Sequence, residues 1–184
     1  LAMIAGFIIL RLRGILGKRS GFEGKAPSQF EKVLNNIQTE KKPVIKENFD
    51  NEAQNEFLNG AKIAYETIIT DFSKGELKKI KSLLDIKIFD QFKNAIKERD
   101  SKGLTSDTTF VGISSAEIKN HEETNNMLEV TVDFVSEIIS CVRDKEKKII
   151  SGDPEKIKKV HDTWKFSRDV RSSNPNWLLM ETEV

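Results

Sequence analysis

Three stretches in the second half of the chain show the spacing of β-strands. In the first, every second residue is apolar, as expected for a strand with one solvated face; these residues are Leu128, Val130, Val132 and Phe134. Val160, Trp164 and Phe166 again share one side, and a further run starts at Trp177, after the turn residues 174–176. Turn signals separate the runs, so the pattern predicts an antiparallel meander with one apolar face.

The first half shows helical spacing instead. A first helix has its apolar face between Phe57 and Phe72, and Gly75 lies just past its end. A shorter helix follows over residues 77–84, and a third runs through residues 88–96 and stops near Gly103. A first strand over residues 110–118, turning between His121 and Asn126, completes four strands. The fold class predicted is therefore α+β, with three N-terminal helices packed on a four-stranded antiparallel sheet.

The N-terminus differs from this domain in composition. Residues 1–10 are apolar and uncharged, and residues 11–46 carry nine Lys or Arg against three Glu, a net charge of +6. The remaining 21 basic and 26 acidic residues give the rest of the chain −5. We predict three parts: residues 1–10 as the end of an N-terminal membrane segment, 11–49 as a basic flexible linker, and 50–184 as the folded domain.

The position of the basic residues relative to the apolar run indicates whether residues 1–10 belong to a signal peptide or to a membrane segment. A signal peptide carries its basic residues before the apolar run, whereas here they follow it. By the positive-inside rule, a membrane segment of this kind keeps the domain on the cytoplasmic or matrix side. The basic residues placed nearest the membrane are Arg11, Arg13, Lys18 and Arg19. Within the linker, apolar residues between Phe30 and Ile37 recur at helical spacing and predict a short amphipathic helix.

Catalytic and metal-binding motifs are absent from the sequence. It has no Gly-rich phosphate loop, no nucleophile elbow and no His-Glu-x-x-His, and Cys141 is its only cysteine. His121 and His161 have no partner at metal-ligand spacing. Asp133 and Asp162 would be candidate general bases if buried, but charged residues on strands usually face solvent. We expect no metal, no cofactor and no catalytic residue; the dispersed lysines also argue against nucleic acid.

Several segments resemble the mitochondrial import inner membrane translocase subunit 44 family. The similarity covers roughly residues 50–184 and is most specific in the last strands; the matching segments are residues 57–66, 89–96, 132–137, Trp164-Lys-Phe-Ser-Arg-Asp169 and Pro175-Asn-Trp177. The resemblance implies a cystatin-like or nuclear-transport-factor-like fold, in which helices pack on a curved sheet around an apolar pocket. It also implies a scaffold that recruits a chaperone to an import channel and binds cardiolipin-rich membrane.

The resemblance implies a location and partners as well. Bacterial relatives carry a membrane segment before the same domain, so we expect a bacterial inner-membrane protein whose domain lies on the cytoplasmic side. The function expected is a non-enzymatic scaffold near a translocation channel. Its expected partners are anionic lipid and proteins such as translocation components or a chaperone, with no nucleic acid and no small-molecule substrate.

The residues expected around the pocket follow from the resemblance and from the inward aromatic positions. We hypothesise that the pocket accepts an acyl chain or an apolar side chain; its predicted residues are Phe57, Ala61, Tyr65, Ile68, Phe89, Phe92, Val132, Phe134 and Trp164. Two alternatives stay open: an enzyme acting in the pocket, and a ribosome-associated membrane adaptor. A charged side chain in a closed apolar pocket would favour the enzyme, whereas an open pocket without titratable groups would favour the scaffold.

Overall fold

The computed structural model describes residues 49–183, as helices followed by a sheet. Three helical segments come first: α1 (Asn51–Lys74), α2 (Leu77–Ile80), which continues into a 3-10 turn (Lys81–Leu83), and α3 (Ile86–Ser101). Four strands follow: β1 (Thr105–Thr124), β2 (Met127–Arg143), β3 (Ile149–Asp169) and β4 (Leu178–Glu183). The α+β class, with three helices and four antiparallel strands, is confirmed.

The N-terminal predictions concern residues that the structure does not describe. Outside the described residues lie the membrane segment 1–10, the linker up to residue 48 with its short amphipathic helix, and the basic residues Arg11, Arg13, Lys18 and Arg19. Among residues 49–183, no helix has both the length and the apolarity needed to cross a bilayer.

Helix α1 has defined ends. The Asp50 carboxylate accepts hydrogen bonds from the backbone N–H groups of Glu52 and Ala53, at 3.1 and 3.0 Å, which satisfies donors that the first turn leaves free. Gly75 ends the helix in the left-handed region, with φ of 79°, and its N–H bonds to the carbonyl of Phe72 at 3.1 Å. Both ends are therefore fixed by local sequence.

The sheet has the order β1-β2-β3-β4, with every neighbouring pair antiparallel. A two-residue turn joins β1 to β2, and its residues Asn125 and Asn126 have φ of 53° and 65°, as in the hairpin turns that asparagine favours. The predicted first strand and the turn from His121 to Asn126 are thus wrong in extent, because β1 continues to Thr124. Three register shifts along β1 disrupt the alternation that would have marked its full length.

The helices cover one face of the sheet, and the core lies between them. Phe57, Ala61 and Ile68 of α1 belong to one buried cluster with Val132, Phe134 and Trp164 of β2 and β3, as predicted. Cys141 is buried as well, in the manner expected of a small apolar side chain. The backbone of α1 lies closest to β1, and its inward side chains reach across to those of β2 and β3, as where the Tyr65 ring packs on Phe134 and Trp164.

Candidate functional site

A cavity of about 100 Å³ lies under the C-terminal half of α1. Residues of α1 and α3 form its roof, and the inward side chains of β2 and β3 form its floor. Its wall is mostly apolar and includes Tyr65, Ile68, Phe92, Arg99, Ser136, Ile138, Val160, Asp162 and Trp164. We call this space the α1 cavity.

A second concave site, the α1 groove, follows the N-terminal half of the same helix. It encloses about 700 Å³ between α1, the 3-10 turn and the loop that leads to β4. Phe57, Phe166 and Trp177 supply apolar surface, and the ring centroids of Phe57 and Trp177 lie 4.5 Å apart. Three acidic residues, Asp50, Glu52 and Glu56, also line it, with Arg168 as the basic residue.

The structure divides the nine predicted pocket residues among three places. Tyr65, Ile68, Phe92 and Trp164 border the α1 cavity, whereas Phe57 and Ala61 border the α1 groove. The other three contribute to the core: Val132 and Phe134 are fully buried, and half-buried Phe89 packs against the core cluster. The sequence thus predicts one pocket, whereas the structure has two concave sites that share no lining residue.

A polar cluster lies inside the otherwise apolar cavity. The Tyr65 hydroxyl donates a hydrogen bond to Oδ2 of Asp162 and lies 2.9 Å from the hydroxyl oxygen of Ser136. All three residues are almost fully removed from solvent, and Asp162 is 4% exposed. A buried carboxylate is costly unless it has hydrogen-bond partners, which gives the cluster a structural role at least.

Burial changes the acid–base properties of the cluster. The apolar surroundings raise the pKa of Asp162 above its usual value, and the hydrogen bond from Tyr65 opposes that rise only in part. The pKa of Tyr65 is raised as well, first by burial and then by the negative charge of Asp162. Tyr65 therefore stays protonated and available as a donor.

The burial of Asp162 departs from the expectation that it faces solvent. Asp162 has the same parity along β3 as Val160, Trp164 and Phe166, and in the sheet it lies opposite Phe134 of β2. A strand places residues of one parity on one face, so this parity was the available signal. Asp133 does lie on the outer face, where its carboxylate accepts a hydrogen bond from Thr163 at 2.5 Å. Ser136 has the parity of Val132 and Phe134, and the sequence reasoning missed it.

Arg99 marks the other end of the cavity. Its guanidinium donates to the Ser73 carbonyl at 2.8 Å, and its Nε lies 3.7 Å from the Asp100 carboxylate. Ser73 and Tyr65 are eight residues apart on α1, which corresponds to about 12 Å along a helix axis. The cavity therefore has an acidic end at Asp162 and a basic end at Arg99, with apolar walls between them.

The histidines lie apart from both polar ends. His121 contacts the Phe49 ring, with centroids 5.1 Å apart, and His161 is exposed on the outer face of β3. Within residues 49–183, no group of three or more His, Cys, Asp or Glu side chains is placed to hold a metal ion. The chemistry that the described residues offer is hydrogen bonding and proton exchange at Asp162, and apolar contact in the groove.

Comparisons with known proteins identify a matching family model, a relative and a solved structure. The family model of the Tim44-like domain matches residues 24–184. The chain is 24% identical over 177 residues to "Probable mitochondrial import inner membrane translocase subunit tin-44" of Caenorhabditis elegans, an alignment that covers 94% of this chain and 40% of that protein. The chain thus spans about 40% of that relative. Among solved structures, the intermembrane space region of the chloroplast protein ARC6 gives a TM-score of 0.46 at 12% identity, over 74% of this chain and 96% of that one.

Proposed function

This chain belongs to the Tim44-like domain family, and from that membership we propose that it is a membrane-associated adaptor in protein translocation. Its task would be to hold polypeptides beside a translocation channel of an inner membrane. A relative named as an import translocase subunit supports this proposal, and its similarity extends over nearly the whole chain. The role needs no catalysis, only attachment to the membrane and a surface that binds polypeptide.

The α1 groove is the surface that we assign to polypeptide binding. Its floor presents the aromatic rings of Phe57, Phe166 and Trp177, which offer large apolar contact to a partner side chain. Its rim carries the acidic residues Asp50, Glu52 and Glu56, of which Asp50 caps α1 and Glu52 lies in its first turn. This pairing of floor and rim fits a polypeptide segment that is apolar on one side and basic on the other.

Membrane attachment is assigned to the first part of the chain. Residues 1–10 supply apolar surface, and the +6 stretch from Arg11 to Lys46 supplies attraction to anionic headgroups. The positive-inside rule favours the cytoplasmic or matrix side for the domain. Arg11, Arg13, Lys18 and Arg19 are the residues nearest the apolar run and would contribute most.

A binding measurement tests the groove assignment. A fluorescent amphipathic peptide of leucine, alanine and lysine, titrated with the full chain, should bind and should be released by salt. Trp177→Ala removes the aromatic floor and should weaken binding by about tenfold or more, the loss expected of a hot spot. Ile157→Ala is the matched control, because Ile157 is an exposed apolar residue that does not line the groove. Undiminished binding by the Trp177 variant would remove the groove from the proposal.

A second candidate, an enzyme that acts in the α1 cavity, is favoured by one observation. Asp162 is a buried carboxylate in an apolar cavity, beside the Tyr65 hydroxyl, and this is the setting in which general bases are found. Replacing the gene by one encoding Asp162→Asn separates the two candidates. An adaptor should keep peptide binding and precursor translocation, whereas an enzyme should give the phenotype of a deletion although its groove still binds peptide.

A further inference from the structure

Asp162 has hydrogen-bonding capacity that the protein leaves unused. A carboxylate offers about four acceptor positions. In the part of the chain that the structure describes, one donor reaches it, the Tyr65 hydroxyl at Oδ2, and no basic side chain lies within ion-pair distance. His161 and Lys158 act on it only as more distant charges. Because Asp162 also borders the α1 cavity, a molecule inside the cavity can supply a further donor.

Aromatic rings surround this carboxylate. The ring centroid of Tyr65 lies 4.4 Å from that of Phe134 and 4.6 Å from that of Trp164. Phe134 is the register partner of Asp162 on β2, and Trp164 is two residues further along β3 on the same face. Aromatic faces attract cations, and a desolvated cation gains most from a carboxylate at the same place. The acidic end of the cavity therefore favours a positively charged group.

The volume of the cavity limits the size of the hydrocarbon that can be attached to the positively charged group. Its volume of about 100 Å³ is smaller than the engineered cavity of about 150 Å³ that holds benzene in another protein. Ile68, Ile138 and Val160 line the space beyond Asp162 and offer contact to a few methylene groups. A short alkyl group fits here, whereas a full lipid acyl chain exceeds the volume.

Arg99 does not reverse this preference for a cation. Its guanidinium already donates to the Ser73 carbonyl and lies near the Asp100 carboxylate, so its charge has partners. It also contacts α1 at Ser73, which lies about two helical turns from Tyr65 along that helix. The Nε of Arg99 is buried without a hydrogen-bond acceptor among the described residues, but its charge is balanced by the Asp100 carboxylate. Asp162 is the charged side chain of the cavity that has no ion-pair partner among the described residues.

We propose that the α1 cavity binds a protonated amine carried on a short apolar group, with its nitrogen hydrogen-bonded to Asp162 and its hydrocarbon against Ile68, Ile138 and Val160. Tyr65 holds the carboxylate in place, and Trp164 covers the bound cation. The same chemistry is present in a free organic amine and in a lysine side chain of a bound polypeptide. This site is separate from the α1 groove, so neither depends on the other.

Calorimetric titration of the full chain with three compounds of equal chain length tests the proposal. Butylamine, butanol and butyrate each have four carbon atoms in a linear chain and differ in the charge of the polar end at neutral pH. The expected order is butylamine at least tenfold tighter than butanol, with no binding of butyrate. Equal affinities for butylamine and butanol, or binding of none of the three, would overturn the proposal.

Variants connect the binding to Asp162. Asp162→Asn should reduce butylamine affinity to that of butanol, and Asp133→Asn is the matched control, since Asp133 lies on the outer face and should leave binding unchanged. If the Asp162 variant does not fold, Ile138→Trp fills the cavity without altering the carboxylate and should abolish butylamine binding. Full butylamine affinity in a folded Asp162→Asn or Ile138→Trp variant would contradict the site.

A competition arm identifies the source of the amine. An apolar peptide with one central lysine should displace butylamine if the natural ligand is a polypeptide side chain, and the same peptide with norleucine should not. If neither peptide displaces butylamine while butylamine still binds, the site belongs to a free organic amine. Displacement by the norleucine peptide would overturn the assignment of the cation to Asp162.

Discussion

At the scale of single residues, Trp164 joins the core to the α1 cavity. It is 3% exposed, and its ring lies 4.6 Å from Tyr65 and 5.9 Å from Phe134 between centroids. Replacing a buried tryptophan with alanine removes this contact and leaves a void, so Trp164→Ala should lower the free energy of unfolding by about 3–5 kcal/mol. Urea denaturation measures the change, and Val111→Ala, at an exposed position of β1, should change it little. An unchanged midpoint for the Trp164 variant would show that the inner face is assigned wrongly.

The raised pKa of Asp162 predicts a pH dependence of stability. Its pKa in the folded state lies above that in the unfolded chain, so its contribution is fully present below the unfolded value and is lost as pH rises through the folded value. Asp162→Asn has no proton to lose. Unfolding free energies measured from about pH 4 to pH 8 should therefore show the wild type declining relative to the variant as pH rises. A difference that is constant with pH, or that changes in the opposite direction, would show that Asp162 is not the buried acid described.

At the scale of elements, a single glycine fixes the pairing of β2 with β3. Gly152 has φ of 79°, and a Cβ added there would lie 2.2 Å from the carbonyl oxygen of Ser140. Gly152→Ala should therefore cost of the order of 2–3 kcal/mol of unfolding free energy, because both the backbone conformation and the contact become strained. Gly112→Ala is the control, since a Cβ at that position meets nothing within 4 Å. Equal effects in the two variants would contradict the register.

The elements that could be predicted from sequence are those with regular periodicity. The sequence predicts the end of helix α1, because its apolar face and its terminal Gly75 agree, and the structure adds Asp50 as the residue that caps its start. The strands were predicted too short: bulges interrupt β1, and the first half of β3 is mainly exposed and contains Gly152 and a proline. Local pattern does not record such features, since they depend on pairing with another strand.

The candidate site was only partly predictable, for a related reason. The inward position of Tyr65 and Trp164 follows from apolar periodicity, and both lie where it places them. The pairing of Tyr65 with Asp162 joins residues 97 positions apart, so it depends on how α1 lies across β3. The presence of a cavity and a groove in place of one predicted pocket depends on how the side chains pack in three dimensions, which periodicity alone does not describe.

At the scale of the whole molecule, the linker has a net positive charge and the domain a net negative charge. The +6 stretch from Arg11 to Lys46 should bind anionic lipid, at ~1 kcal/mol for each basic residue near the surface, while residues 47–184, with a net charge of −5, are repelled. A chain that begins at Arg11 retains this charge without the apolar run. It should sediment with vesicles containing anionic lipid at low salt and be released at about 0.5 M salt. It should not bind neutral vesicles. Equal binding to both kinds of vesicle, or to neither, would remove the electrostatic part of membrane attachment.

The most direct test of the adaptor role is photo-cross-linking in native membranes while a precursor protein is being translocated. Benzoylphenylalanine at position 60 places the probe on α1 at the α1 groove, where a Cβ at Gly60 meets nothing within 4 Å. The same probe at Asn94, an exposed position of α3 that does not line the groove, is the control. The account predicts that the position 60 probe cross-links to the precursor and that Trp177→Ala abolishes the product, with no such product from position 94. Adducts confined to ribosomal proteins, or the same products from both positions, would contradict the account.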